Sequence, residues 1–434
     1  MTRDPGVARY RDARQPTRAL TLPAPRTIAL SVVAVALAAL VAMVTWGGLN
    51  KNRQPHLALL VAPTNGFAYA RAAVRGVAAQ VGNNPGQLAT VTLSPAQRQA
   101  ALESYKREPL SSQGLAIAAL AAEGVGNSKR ARDLMAAALQ LSRRDSLVNG
   151  WTVFDASRRG DLDAAIPALD RSMVTDPATS SVYIPAMVRS LEQPASIPVL
   201  AKILARKPTW ELTFWRAAVV ARPTIGNVGK LRVLRVRARH APSGASEADD
   251  NRNIDRALLA TLAERREFAT ALELYRTLPG ARAQSPGQVV SNDSFIATPV
   301  WPPFDWDVLA TGEYSGTIEQ GSGARGSEGL VVESLPGSGG TVARQLVVVP
   351  PGQMRMRAAL ANPFEADANR LSIRLICATT DARVFEAEIA ANSLQRDFRA
   401  APGCRYHWLE VLVRPGMAES RQPLALRSIA IGPR

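Results

Sequence analysis

GNSKRARDLMAAALQLS, residues 126–142, is answered 34 positions on by GDLDAAIPALDRSMVTDP, residues 160–177. Aligned on their glycines, Ala131 matches Ala165, Met135 matches Leu169 and Leu139 matches Met173, the helical spacing of one apolar face. Pro109 and Pro177 stand two such periods apart. A supersecondary unit of this length buries its apolar face only by stacking on its neighbours, so the repeat predicts an array of helical hairpins.

The whole stretch from about Pro55 to Pro286 is rich in Ala and Leu, broken at short intervals by Gly, Pro, Asn and Asp. A later segment from Arg252, RNIDRALLATLAERREFATALELYRTLPG, has the same design, with Ala271, Leu274 and Tyr275 on its second helix and Pro279 at its end. Residues 181–250 are irregular and predict one or two further pairs. These features resemble the tetratricopeptide repeat family, a 34-residue helix pair with a small residue near the turn, Ala on the second helix and a closing Pro. The resemblance implies an α-solenoid over residues 50–285 whose concave groove binds a partner protein. A spacer holding the next domain away from a membrane is the alternative, because fold alone does not fix function.

Within this region GKLRVLRVRARH, residues 229–240, puts Arg232, Arg235 and Arg239 on one helical face and Leu231, Leu234 and Ala238 on another. The expectation is a basic surface: a solvated face, or a contact for acidic glycan or lipid. Residues 181–240 hold 11 Lys and Arg against 2 Asp and Glu, so much of the net charge of +16 lies here.

Beyond Pro286 the helical period ends, and Gly, Ser and short alternating apolar runs take over. Strands are predicted at 329–334, 341–349, 354–359, 371–379, 383–390, 406–414 and 425–432, an antiparallel β-sandwich over residues 286–434. NDSF from Asn292, PPFDWDV from Pro302, RQLVVVPPGQMRMRAAL from Arg344 and LRSIAIG from Leu426 resemble the carbohydrate-binding modules with a galactose-binding-like jelly roll. That resemblance implies glycan capture. Trp301, Tyr314 and Trp408 are the candidate stacking rings, with Asp305 and Asp307 as acceptors for sugar hydroxyls. Phe304 and Trp306, two apart, are read as core residues on one strand face. Ile296 replaces the acidic residue that often follows the opening Phe, so no calcium and no other metal is expected. Cys377 and Cys404, the only cysteines, are a candidate disulfide pair and exclude a zinc site of paired thiolates.

Upstream of the repeats, TIALSVVAVALAALVAMVTW, residues 27–46, runs for twenty residues without a charge, enough for a helix to cross a bilayer core of about 30 Å. Arg3, Arg9, Arg11, Arg14, Arg18 and Arg26 precede it against Asp4 and Asp12, which keeps a basic tail, residues 1–26, in the cytoplasm. The run exceeds the apolar part of a cleaved leader and no small-x-small site follows it, so residues 27–49 read as a retained anchor rather than a signal peptide or a buried helix. The expected class is therefore a multidomain α + β protein of the bacterial inner membrane: one transmembrane helix, a solenoid and a jelly roll, with the bulk in the periplasm. Nucleic acid drops out as a partner.

His56, His240 and His407 are scattered, and no nucleophile elbow, Walker loop, metal-binding helix or dinucleotide fingerprint is present. The sequence thus predicts a non-enzymatic scaffold without cofactors, in envelope or exopolysaccharide assembly, whose repeats hold a periplasmic or inner-membrane protein and whose sandwich holds polysaccharide. A purely protein-binding assembly factor is the alternative, and a glycan-modifying enzyme the third reading.

Overall fold

The computed structural model describes residues 25–81, 91–238, 245–281, 288–319, 328–361, 370–390, 392–416 and 424–434. The arginines at positions 3–18, Arg239 and the expected boundary at 285/286 lie outside these residues. The chain forms two compact units, residues 1–148 and 149–434.

In the first unit α1 (Pro25–Asn50) contains the apolar segment Arg26–Asn50, whose most apolar 18-residue stretch has a mean hydropathy of 2.7 and no buried residue. Its length and composition suit a membrane span, and a secretory leader would meet the same criterion. There follow α2 (Pro55–Val61), α3 (Gly66–Val81), α4 (Pro95–Arg107), α5 (Ser112–Gly124) and α6 (Ser128–Leu141). The starts of α4, α5 and α6 are set by side chains that satisfy the free first-turn amides. Ser94 and Gln97 form a capping box on α4, Ser111 accepts from Gly114 on α5, and Asn127 accepts from Arg130 on α6. Gly126, at φ +79°, makes the left-handed turn that joins α5 to α6.

The second unit holds most of α7 (Ser146–Arg158), then α8 (Leu162–Thr175), α9 (Ser180–Ser190), α10 (Ser196–Leu204), α11 (Glu211–Ala218), α12 (Ile225–Arg237), α13 (Ala245–Glu264) and α14 (Phe268–Thr277). The starts of α5 and α7 are 34 residues apart, as are those of α6 and α8, so the helical repeat read from residues 126–177 is present. Gly160, φ +69°, turns α7 into α8 as Gly126 turns α5 into α6.

Ten strands complete this unit: β1 (Asp307–Val308), β2 (Tyr314–Glu319), β3 (Gly329–Ser334), β4 (Gly340–Val348), β5 (Gly352–Leu360), β6 (Arg370–Cys377), β7 (Arg383–Glu388), β8 (Ser393–Ala400), β9 (Tyr406–Arg414) and β10 (Leu424–Pro433). They form two antiparallel sheets, ordered β1-β4-β9-β6-β7 and β2-β3-β10-β5-β8. The nested pairings β3·β10, β4·β9, β5·β8 and β6·β7 are those of a jelly roll, in which a long antiparallel ribbon is rolled into two sheets. All seven expected strands are present.

One core fills the sandwich, around Leu330, Val347, Met356, Ile373, Leu409 and Ile429. A second joins the helices to the β-sheet region, with Phe268, Leu274 and Tyr275 of α14 sharing a cluster with Trp301, Phe304, Leu346 and Ala378. β4 and β9 therefore carry apolar residues on both faces, as doubly covered strands do. Arg266 takes φ +60° at the α13–α14 turn, and its guanidinium donates to the Thr379 carbonyl and pairs with Asp381.

Two local expectations change. NDSF, which in the resemblance to carbohydrate-binding modules stands for their opening strand, is here a turn, with Asn292 and Phe295 at φ +52° and +54°. Phe304 and Trp306 are both core but do not share a strand face. Phe304 stacks on Tyr275 among the helices, centroids 5.0 Å apart, while Trp306 packs on Phe295 in the sandwich. Residues 301–305 form a turn, so the two-residue alternation of a strand does not apply to them.

Candidate functional site

The aromatic segment after residue 300 is largely internal. Trp301, expected among the better exposed rings, is 4% exposed and donates its Nε1–H to the Pro279 carbonyl at 2.9 Å. Asp305, expected to accept sugar hydroxyls, is also 4% exposed. Its Oδ2 accepts the Val300 and Trp301 amides, both at 2.8 Å, and its Oδ1 accepts the Tyr275 hydroxyl at 3.1 Å. A buried carboxylate needs such partners to remain in place, and these fasten the 300–305 turn to α14.

Asp307 pairs with Arg344 at 2.9 Å, and the Arg344 guanidinium lies 5.2 Å from the centroid of the half-buried Trp408 ring. Tyr314 is half-buried and lies over Gly340, where an added Cβ would meet its ring. The five residues do not form one exposed platform. Trp301 and Asp305 are joined inside, Asp307 and Trp408 are joined through Arg344, and Tyr314 packs against the sandwich core.

The expected basic surface is corrected more sharply. Arg232 is 1% exposed and gives Asp255 two hydrogen bonds, 2.6 and 3.1 Å, while its Nη2 also donates to Asn251. Its guanidinium lies 4.8 Å from the Trp215 ring centroid. Arg235, 6% exposed, pairs with Glu211 at 2.8 Å. Leu234, expected on the apolar face, is 42% exposed. The two arginines turn inward because carboxylates on α13 and α11 meet them; guanidinium forks and carboxylates are complementary in shape as well as charge.

Cys377 and Cys404 are disulfide-bonded, with Cα atoms 5.9 Å apart, tying the end of β6 to the loop before β9. His407 on β9 is fully buried, and neither ring nitrogen has a hydrogen-bond partner among the described residues. Burial pushes its pKa below the ordinary histidine value, opposed in part by the nearby Arg405 backbone. No group of three or more His, Cys, Asp and Glu side chains able to hold a metal lies among the described residues.

Two clefts have no counterpart among the sequence motifs. In the second unit a cleft of about 370 Å³ between α11 and α13 is lined by Lys207, Glu211, Trp215, Glu247 and Asp250. Its carboxylates already have partners: Glu211 pairs with Arg235, Glu247 with Lys207 and Asp250 with Arg216. In the first unit a cleft of about 480 Å³ is lined by α4, α5 and α6. Ala118, Ala121 and Ala122 form its floor, with Leu102 and Tyr105 on one wall and Leu134 on the other. Leu102, Tyr105 and Val125 are 47%, 49% and 78% exposed. The signal was legible in principle, since Ala118, Ala121, Ala122 and Val125 follow a spacing of 0, 3, 4 and 7 along the sequence of α5 and the residue after it.

No protein-family model matches the chain, and no curated protein matches it. Among solved structures it is similar to the enzymatically active domain of tailspike protein 4 of bacteriophage CBA120. The match has 17% identity and a TM-score of 0.24, and covers 34% of this chain and 22% of that one. A likeness of that size bears on neither activity nor substrate.

Proposed function

We propose that the chain is a scaffold of the bacterial envelope, held in the inner membrane by α1 with its bulk in the periplasm. Its tetratricopeptide-like hairpins dock a partner protein. The observation that carries this reading is the exposed apolar cleft on α4, α5 and α6, which combines accessible apolar side chains with a floor of small residues. Burial of Trp301 and Asp305 favours the purely protein-binding reading over glycan capture, because a sugar cannot stack on a ring already covered by protein. The disulfide suits an oxidising compartment, and the arginine-rich sequence before α1 suits a cytoplasmic N-terminus.

Two measurements test the proposal. Alkaline phosphatase fused after residue 434 is expected to be active and green fluorescent protein at the same place dark; the reverse pattern would place the bulk in the cytoplasm. Cross-linking of the full-length chain in native membranes is expected to give a reproducible adduct with a second protein. Persistent recovery of the chain with polysaccharide and no protein would reverse the choice between scaffold and glycan binder.

A further inference from the structure

We infer that the first-unit cleft receives an amphipathic helix of the partner protein, with acidic residues at the end that meets Arg98 and Arg130. The inference rests on the scaffold reading and names where the partner docks and what it must carry.

The shape is that of a helix seat. On α5, Ala118, Ala121 and Ala122 make one stripe that Val125 continues just past the helix end, and small side chains let another helix backbone approach closely. α4 contributes Leu102 and Tyr105, and α6 contributes Leu134. Helices of 13 to 14 residues at about 1.5 Å per residue give a seat of about 20 Å, three to four turns of a ligand helix.

The charge is confined to one end. α4 and α5 are joined by a short connection, as are α5 and α6, so the three helices alternate in direction. The start of α4, the end of α5 and the start of α6 therefore lie together. Arg98 is in the first turn of α4 and Arg130 in the first turn of α6. Both side chains are exposed, both line the cleft, and neither guanidinium has a partner among the described residues. Among the described residues no carboxylate lines the cleft. Glu123, the acid near this end of α5, accepts a hydrogen bond from Ser128. Two helix N-termini against one C-terminus add positive potential at the same end. Apolar walls select a helix with residues at spacing 0, 4 and 7, and the two guanidiniums select Asp or Glu at its end.

The test places the photoreactive amino acid p-benzoylphenylalanine at Leu102 of the full-length chain in native membranes. Leu110, exposed but outside the cleft, is the control position. The cross-linked peptide is then sequenced. The expected adduct is a protein segment with the stated apolar spacing and at least two acidic residues at one end. A synthetic peptide of that segment is expected to bind the full-length chain, with affinity reduced at least tenfold by R98E/R130E and restored when the peptide's acids become Lys. Both arginines are exposed, and an unchanged far-ultraviolet circular dichroism spectrum would show that the variant is folded. A phospholipid adduct, a self-adduct with a second copy, a segment without acids, no adduct above the control, or undiminished affinity in R98E/R130E would each overturn the inference. A partner cross-linked only from other positions would do the same while leaving the scaffold reading intact.

Discussion

Replacement of Asp305 separates a glycan contact from an internal fastener. Its carboxylate accepts two amides at 2.8 Å and the Tyr275 hydroxyl at 3.1 Å in a site almost closed to solvent. Hydrogen bonds to a charged group contribute about 1.5–3 kcal/mol each, and a buried donor left without its acceptor costs about 1–3 kcal/mol. Asp305→Ala removes the acceptor of three hydrogen bonds, so allowing for relaxation the loss is roughly 3–6 kcal/mol. For a unit of this size that lowers the melting temperature by about 10 °C. Asp305→Asn keeps one carbonyl oxygen for the two amides and can turn its NH2 toward the Tyr275 oxygen, so its cost is about 1–2 kcal/mol. Urea denaturation of the full-length chain in detergent, followed by tryptophan fluorescence, measures both. A residue that served only a sugar would leave stability unchanged. An Asp305→Ala variant within about 0.5 kcal/mol of the parent would refute the fastener argument.

Other outcomes follow from the same chemistry. Arg232→Met leaves Asp255 buried without its counter-ion and is expected to cost about 3–5 kcal/mol, while the double variant R232M/D255L recovers most of it; no recovery in urea denaturation would deny that the pair is the cause. Replacing both Cys377 and Cys404 by Ala frees a loop of sequence separation 27 and is expected to cost roughly 3.5 kcal/mol, read as a fall in the denaturation midpoint. His407 has a folded pKa below the ordinary 6.5, so the unfolded chain takes up its proton first as pH falls. The stability it supports is complete above about pH 6.5 and declines as pH drops from there toward the lowered folded value, so H407L should show a flatter midpoint between about pH 7.5 and pH 5.5 than the parent.

Most of the architecture was legible because it rests on periodicity. The 34-residue spacing returns as the starts of α5 and α7 and of α6 and α8, and the turn glycines Gly126 and Gly160 both adopt positive φ. The strands that escaped were β1, β2 and β8. β1 is two residues long, and β8 reads SLQRDFRA, whose polar residues dominate because only Leu394, Phe398 and Ala400 turn inward. The motif around Gln345 had a physical basis: its amide exchanges two 3.0 Å hydrogen bonds with the Ser291 backbone, pinning the segment before the sandwich to β4. Trp301 misled because the resemblance to sugar-binding modules reads a ring as a surface platform, whereas aromatic side chains dominate the burial where layers meet.

The same distinction governs the charge. A count over residues 181–240 suggests a basic surface, but seven of those eleven cations are ion-paired: Arg206, Lys207, Arg216, Arg222, Arg232, Arg235 and Arg237. Six of their carboxylate partners lie outside the window, five of them between Glu247 and Glu273, so a window charge misses what the fold cancels. A trace of this was present in the sequence. Asp255 shares a helical face with Leu258, Leu259 and Leu262, all fully buried, and an acid on an apolar stripe requires a cation to meet it. Partnering, not density, is therefore what marks a charge as available to another molecule. By that criterion Arg98 and Arg130 at the first-unit cleft are better placed for an acidic partner than Arg232, Arg235 and Arg237, each of which already meets a carboxylate.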